Sequence, residues 1–233
     1  MELTPHAITL GFLWYFAFLF STVCHEGAHA LAGKAGGDPT AFEAGQASLN
    51  PVPHIRREPF GLVLIPLISF ALNGWMMGWA SAPYDPRWQR KHPRRGAWMA
   101  LAGPAANFTL LVLSGIAIRV GLWAGIFRLP ETFGFTSLVE ATDPQRWGFA
   151  ATLLSIFFIL NLILGTFNLL PVPPLDGASG VALFLPERAA MRLLDFFRSP
   201  GMALVGLFLA WYLYGYLFRL AFPVAVHLLF LHV

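Results

Sequence analysis

Long apolar runs constrain this chain more than any other feature. Five stretches, at about 8–33, 59–83, 97–124, 149–170 and 201–222, are nearly free of charge. Each meets the roughly 20 residues that a helix needs to cross a bilayer core. Hydrocarbon offers no partner to a free peptide N–H or C=O, so such runs must close their hydrogen bonds internally, as helices. Charged residues make up only 12% of the 233, and mean hydropathy is +0.62. A soluble domain carries about twice that charge. The opening MELTPHAITL lacks a basic n-region, so the first run reads as a retained span rather than a cleaved leader. No stretch is long and polar enough for a second soluble domain, and residues 1–233 are expected to form one membrane domain. The excess of 15 Lys and Arg over 12 Asp and Glu is too small to point to nucleic acid, and no nucleic-acid partner is expected. Cys24 is the single cysteine, which excludes an internal disulfide and leaves redox compartment open. Nothing in the sequence sets the oligomeric state.

Basic residues orient the helices. The loop 87–96, RWQRKHPRRG, holds Arg87, Arg90, Lys91, Arg94 and Arg95, and the positive-inside rule assigns it to the cytoplasm. Lys34, Arg56 and Arg57 demand the same side. The two demands conflict if 59–83 crosses the membrane fully, because one group would then lie outside. Pro66 and Asn73-Gly74 weaken that run as a helix. A re-entrant or broken hairpin that enters and leaves on the cytoplasmic side satisfies both groups, provided its non-helical backbone is buried in protein or lines a wet cavity. Eleven of the fifteen basic residues then lie inside, and Arg119, Arg128, Arg146 and Arg219 lie at the outer side. The expected fold is an all-α polytopic membrane protein of four to six transmembrane helices, with a re-entrant or broken segment at 59–83 and a short loop or hairpin at 38–56. Within the latter, 41–49 shows a weak strand alternation and reads as a loop.

The first run contains HEGAH, with His25, Glu26 and His29. Residues i and i+4 share a helix face, so both imidazoles reach one point, while Glu26 projects about 100° around the helix within reach of a bound water. This is H-E-x-x-H, two zinc ligands and a general base. At the chain's own residue frequencies, roughly 0.006 chance occurrences are expected, so the pattern is informative. Two packing histidines and a snorkelling glutamate are the bland alternative. Ionisable groups at membrane depth are functional by default, which favours the site. A catalytic zinc takes three protein ligands and keeps one position open. His6, His92, His227 and His232 stand at the chain ends or in the basic loop. Asp176, in FNLLPVPPLDG, is the aspartate that follows directly on a span. Alone it reads as a cap on the next segment; beside H-E-x-x-H it reads as the third ligand.

Together HEGAH and NLLPVPPLDG resemble the site-2 protease family of intramembrane zinc metalloproteases. LAGPAANF (101–108) is similar to that family's Ala-Gly-Pro-x-x-Asn segment. SLNPVPHI (48–55) resembles the Leu-Asn-Pro-x-x-His stretch of its compact bacterial and archaeal branch, although Arg56 stands where that branch often has aspartate. No PDZ or nucleotide-sensing CBS domain fits in what remains. The resemblance implies one Zn2+ per chain on His25, His29 and Asp176, with Glu26 as general base. It implies a zinc-dependent endopeptidase that cuts a peptide bond within or near a transmembrane helix of a membrane-protein substrate. It also implies an integral protein of a prokaryotic cell membrane, in contact with the lipid bilayer and with its site toward the cytoplasm. Asn107 has two readings: a catalytic donor to the tetrahedral oxyanion, or a hydrogen bond between helices. Asn168 is either a partner of the ligands or a brace for the turn, and His54 either approaches the site or sits in a turn. The 59–83 stretch is a candidate gate or cavity wall. A zinc transporter or sensor without peptidase activity is the alternative function, and it has no use for Glu26.

Overall fold

A computed structural model describes residues 4–231 of the chain; His232 lies outside the described residues. In chain order, α1 (Pro5–Gly36) is followed by α2 (Thr40–Glu43) and α3 (Pro51–Arg57), then by a π-helical turn at Phe60–Leu64 that continues into α4 (Ile65–Asn73). Next, α5 (Pro86–Lys91) leads into α6 (Pro93–Trp123). A small antiparallel ribbon of β1 (Phe127–Arg128) and β2 (Glu140–Ala141) joins α6 to α7 (Pro144–Asn168). The chain ends with α8 (Asp176–Gly180), a 3-10 turn, α9 (Glu187–Phe197) and α10 (Met202–Leu229). Among the described residues four helices, α1, α6, α7 and α10, are long and apolar enough to cross a membrane, and the chain is an all-α polytopic membrane protein.

Four helices begin with the same device, a capping side chain followed by proline. Thr4, Asn50, Asp85 and Asp143 accept a hydrogen bond from a first-turn N–H of α1, α3, α5 and α7, and Pro5, Pro51, Pro86 and Pro144 follow them. The cap satisfies an otherwise orphaned donor, and proline has no N–H to satisfy. α1 stops at Gly37, whose φ of +100° suits a left-handed C-cap.

The helices α1, α6 and α7 form the centre. Leu13, Trp14 and Phe18 of α1 bury against Ile156 and Leu160 of α7 and against Leu62, Phe70 and Met76. A second cluster joins Ile118, Phe158 and Ile159 to Leu138 and Val139 of the ribbon loop and to Leu229. α10 is peripheral, burying Gly206, Ala210 and Leu229 among its residues.

Phe60–Asn73 does not run on into a span. Its 14 residues give about 21 Å of helix, short of the roughly 30 Å hydrocarbon core. At Gly74, with φ of +76°, the chain turns back as an extended strap. Trp79 N donates to Gly61 O at 3.2 Å, Met77 N to Ser69 Oγ at 3.0 Å, and Ser81 Oγ to Glu58 Oε1 at 2.5 Å. The two ends of the segment therefore lie together, as in a broken hairpin. Pro66 sits in the first turn of α4, where a missing N–H is tolerated. The expected loop at 38–56 contains two short helices, α2 and α3. The 41–49 stretch is a helical turn followed by bends, without a strand.

Candidate metal centre

His25 and His29 lie on one buried face of α1, with ring centroids 4.6 Å apart and planes at 84°. Asp176, the first residue of α8, comes back to meet them. His25 Nε2 is 3.0 Å from Asp176 Oδ2, and His29 Nε2 is 3.3 Å from Asp176 Oδ1. Ligand atoms from all three residues fall within 4.8 Å of one another. Neighbouring ligands on a tetrahedral zinc with bonds near 2.0–2.1 Å stand about 3.3 Å apart, so the donor set fits that ion.

Both imidazoles are fixed from behind. His25 Nδ1 is 2.6 Å from Asn107 Oδ1, and His29 Nδ1 is 2.8 Å from Met99 O, both on α6. With Nδ1–H donating to these oxygens, each Nε2 presents a lone pair to the shared point. Gly103, on the facing side of α6, leaves that point open. A Cβ there would stand 2.5 Å from His25 Nε2 and closer still to His29 Nε2. Nothing in the sequence alone places Gly103 opposite both ligand nitrogens.

Asn107 is fully buried and engaged on both sides. Its Oδ1 accepts from His25, and its Nδ2 donates to Asn161 Oδ1 at 2.9 Å, with Ser21 O at 3.5 Å. Asn161 Nδ2 donates in turn to Ser21 Oγ and to Phe157 O, each at 2.9 Å. Of the two readings of Asn107, these contacts are those of a hydrogen bond between helices, with its amide hydrogens directed at Asn161 Oδ1 and Ser21 O. Sequence reasoning missed Ser21 and Asn161. Asn161 is another amide inside an apolar run, and Ser21 precedes His25 by one helical turn, so both signals were present.

Glu26 is buried on α1, next in sequence to His25. Cys24 is half-buried and is not part of the converging group. Asn168 Nδ2 donates to Leu164 O, which braces the end of α7. His54 is buried; its Nε2 lies 3.2 Å from Ser48 O and its Nδ1 has no partner. It steadies the 46–48 turn, whose carbonyls lie beside Gly27.

The turn that carries Asp176 is clamped from several directions. Gln89 Nε2 donates to Ser179 Oγ at 3.2 Å. Gly206 of α10 touches the Pro173 carbonyl so closely that a Cβ would overlap it, and Gly177 likewise meets the Leu169 and Leu170 carbonyls. Gly177 is therefore needed for close approach, not for an unusual backbone angle.

A His-His-Asp group converging inside a polytopic membrane protein, with both histidines buried, defines a membrane metalloprotein class. Residues 13–213 match peptidase family M50, the family of the site-2 proteases, and the chain belongs to it. It is 34% identical over 160 residues to a Bacillus subtilis (strain 168) protein named "Putative zinc metalloprotease YwhC". That match covers 68% of this chain and 63% of the relative's length. No solved structure matches the chain.

Proposed function

We propose that the protein is a zinc-dependent intramembrane endopeptidase. It hydrolyses a peptide bond within or near a transmembrane helix of another membrane protein. One Zn2+ per chain is held by His25, His29 and Asp176. The observation that carries this reading is the convergence of these three side chains within 4.8 Å, with the Glu26 carboxylate next in sequence to a ligand.

Zinc bound there supplies Lewis-acid polarisation of the scissile carbonyl and lowers the pKa of its water toward about 7. Glu26 takes the proton of the attacking water and delivers it to the departing amine nitrogen. Asn107 and Met99 O hold the imidazoles in the ligating tautomer. His25 and His29 precede the end of α1 at Gly36 by eleven and seven residues, a depth of about 10–17 Å from the end that meets the basic loop. This depth supports cleavage within the cytoplasmic half of a substrate helix. Hydrogen bonds protect the peptide bonds of an intact helix, so the substrate segment has to unwind before attack. The 60–80 hairpin packs on α1 at Leu13, Trp14 and Phe18, about two to three helical turns before His25, and is proposed as a wall of the cavity that admits it.

The test compares wild type with Glu26→Gln on single-pass membrane substrates in detergent, with zinc content measured on both. The variant is expected to keep its zinc and lose cleavage. Retained zinc with retained cleavage overturns the proposal. Zinc binding by a wild type that cleaves no substrate favours a transporter or sensor.

A further inference from the structure

We infer that Asn161 is a positioning residue of the metal centre: it fixes the direction of the Asn107 amide, and through that amide the tautomer of His25. The inference rests on the zinc reading of His25, His29 and Asp176.

For His25 to ligate through Nε2, its proton must sit on Nδ1, which faces Asn107 Oδ1 at 2.6 Å. An amide side chain is nearly symmetrical in shape and can turn over. Turned over, Asn107 would offer N–H to Nδ1 and favour the tautomer with its proton on Nε2, where the metal must bind. His25 and Asn107 alone do not decide between these states. Asn161 decides, because its Oδ1 accepts from Asn107 Nδ2 at 2.9 Å. Asn161 is an amide too, and its own direction needs an anchor. The anchor is the Phe157 carbonyl, 2.9 Å from Asn161 Nδ2. A backbone carbonyl only accepts, so it forces Nδ2 toward itself and Oδ1 toward Asn107. Ser21 Oγ accepts from the same Nδ2 at 2.9 Å. Ser21, Asn107 and Asn161 are fully buried, so water does not substitute for a lost partner. One α7 carbonyl thus sets a chain of dipoles that ends at a ligand nitrogen on α1, and every link has a single consistent direction.

Zinc affinity of the purified full chain, measured by chelator competition in detergent, tests this without reference to proteolysis. Asn161→Leu keeps the volume but removes the acceptor for Asn107, and is expected to weaken zinc binding by about 10- to 100-fold. Asn161→Asp keeps an oxygen toward Asn107 and, protonated, a donor toward Phe157 O; it is expected to restore affinity to near wild type. Ser155→Ala removes another fully buried polar group of α7, one that serves Leu138 N. It is expected to lower thermal stability and leave zinc affinity unchanged. Wild-type affinity in Asn161→Leu overturns the inference. If His25→Ala loses zinc while Asn161→Leu does not, the metal centre stands and the positioning role falls. A wild type without zinc affinity defeats both.

Discussion

Gly103→Ala should empty the metal centre while adding only one methyl group. The new Cβ would stand 2.5 Å from His25 Nε2 and 2.5 Å from His29 Cε1, against an ordinary contact that begins near 3.4 Å. Restoring that contact requires the rings to retreat by about 0.9 Å, whereas metal sites hold ligand distances within about 0.2 Å. The rings have little freedom to retreat, because Asn107 Oδ1 and Met99 O hold both Nδ1 atoms. If α6 withdraws instead, the α1–α6 packing loosens at a cost of about 1–3 kcal/mol, and the imidazoles lose the two acceptors that orient them. Either route is expected to lower zinc affinity by more than about 100-fold, equivalent to about 2.7 kcal/mol. Chelator competition reads the affinity, and thermal unfolding of the metal-free protein shows that the fold survives. A Gly103→Ala protein that binds zinc as wild type does would refute the placement of both Nε2 atoms opposite α6.

Glu26→Gln should keep zinc and lower kcat by about 10²- to 10⁴-fold, the usual worth of a positioned general base, as read by product formation from a single-pass substrate. Asp176→Ala removes one ligand of three and should weaken zinc binding more than about 100-fold in the same competition assay. A variant that retains full zinc would reassign the third ligand. Gly206→Ala would drive a methyl group into the Pro173 carbonyl, so α10 must move off the turn that carries Asp176. A loss of about 1–3 kcal/mol in unfolding free energy is expected, together with weaker zinc binding; unchanged stability would show that α10 does not clamp this turn.

The spans were legible because hydrocarbon demands apolar helices, yet their ends were misjudged wherever caps extend them. α7 starts at Pro144 rather than near 149 because Asp143 caps it, and α10 continues through Pro223 to Leu229. The cap-proline pairs Thr4-Pro5, Asn50-Pro51, Asp85-Pro86 and Asp143-Pro144 were readable as helix starts but carry no hydropathy signal. The charge conflict around 59–83 pointed to a hairpin, and the bonds between Trp79 and Gly61 and between Ser81 and Glu58 close one. HEGAH was legible as a shared helix face because its spacing is local. Asp176 could be chosen only by its chemistry, since 147 residues separate it from His29 and no periodicity spans that gap. The direction of the Asn107 amide was illegible for a different reason. Sequence places an amide in an apolar run but does not say which atom faces which neighbour, and here the amide oxygen faces His25 Nδ1.

Zinc K-edge X-ray absorption on the purified protein tests the central claim most directly. Two imidazole nitrogens and one or two oxygens at about 2.0–2.2 Å are predicted, with one zinc per chain. A sulfur scatterer from Cys24 near 2.3 Å, or a shell with fewer than two imidazoles, would contradict the His25–His29–Asp176 centre.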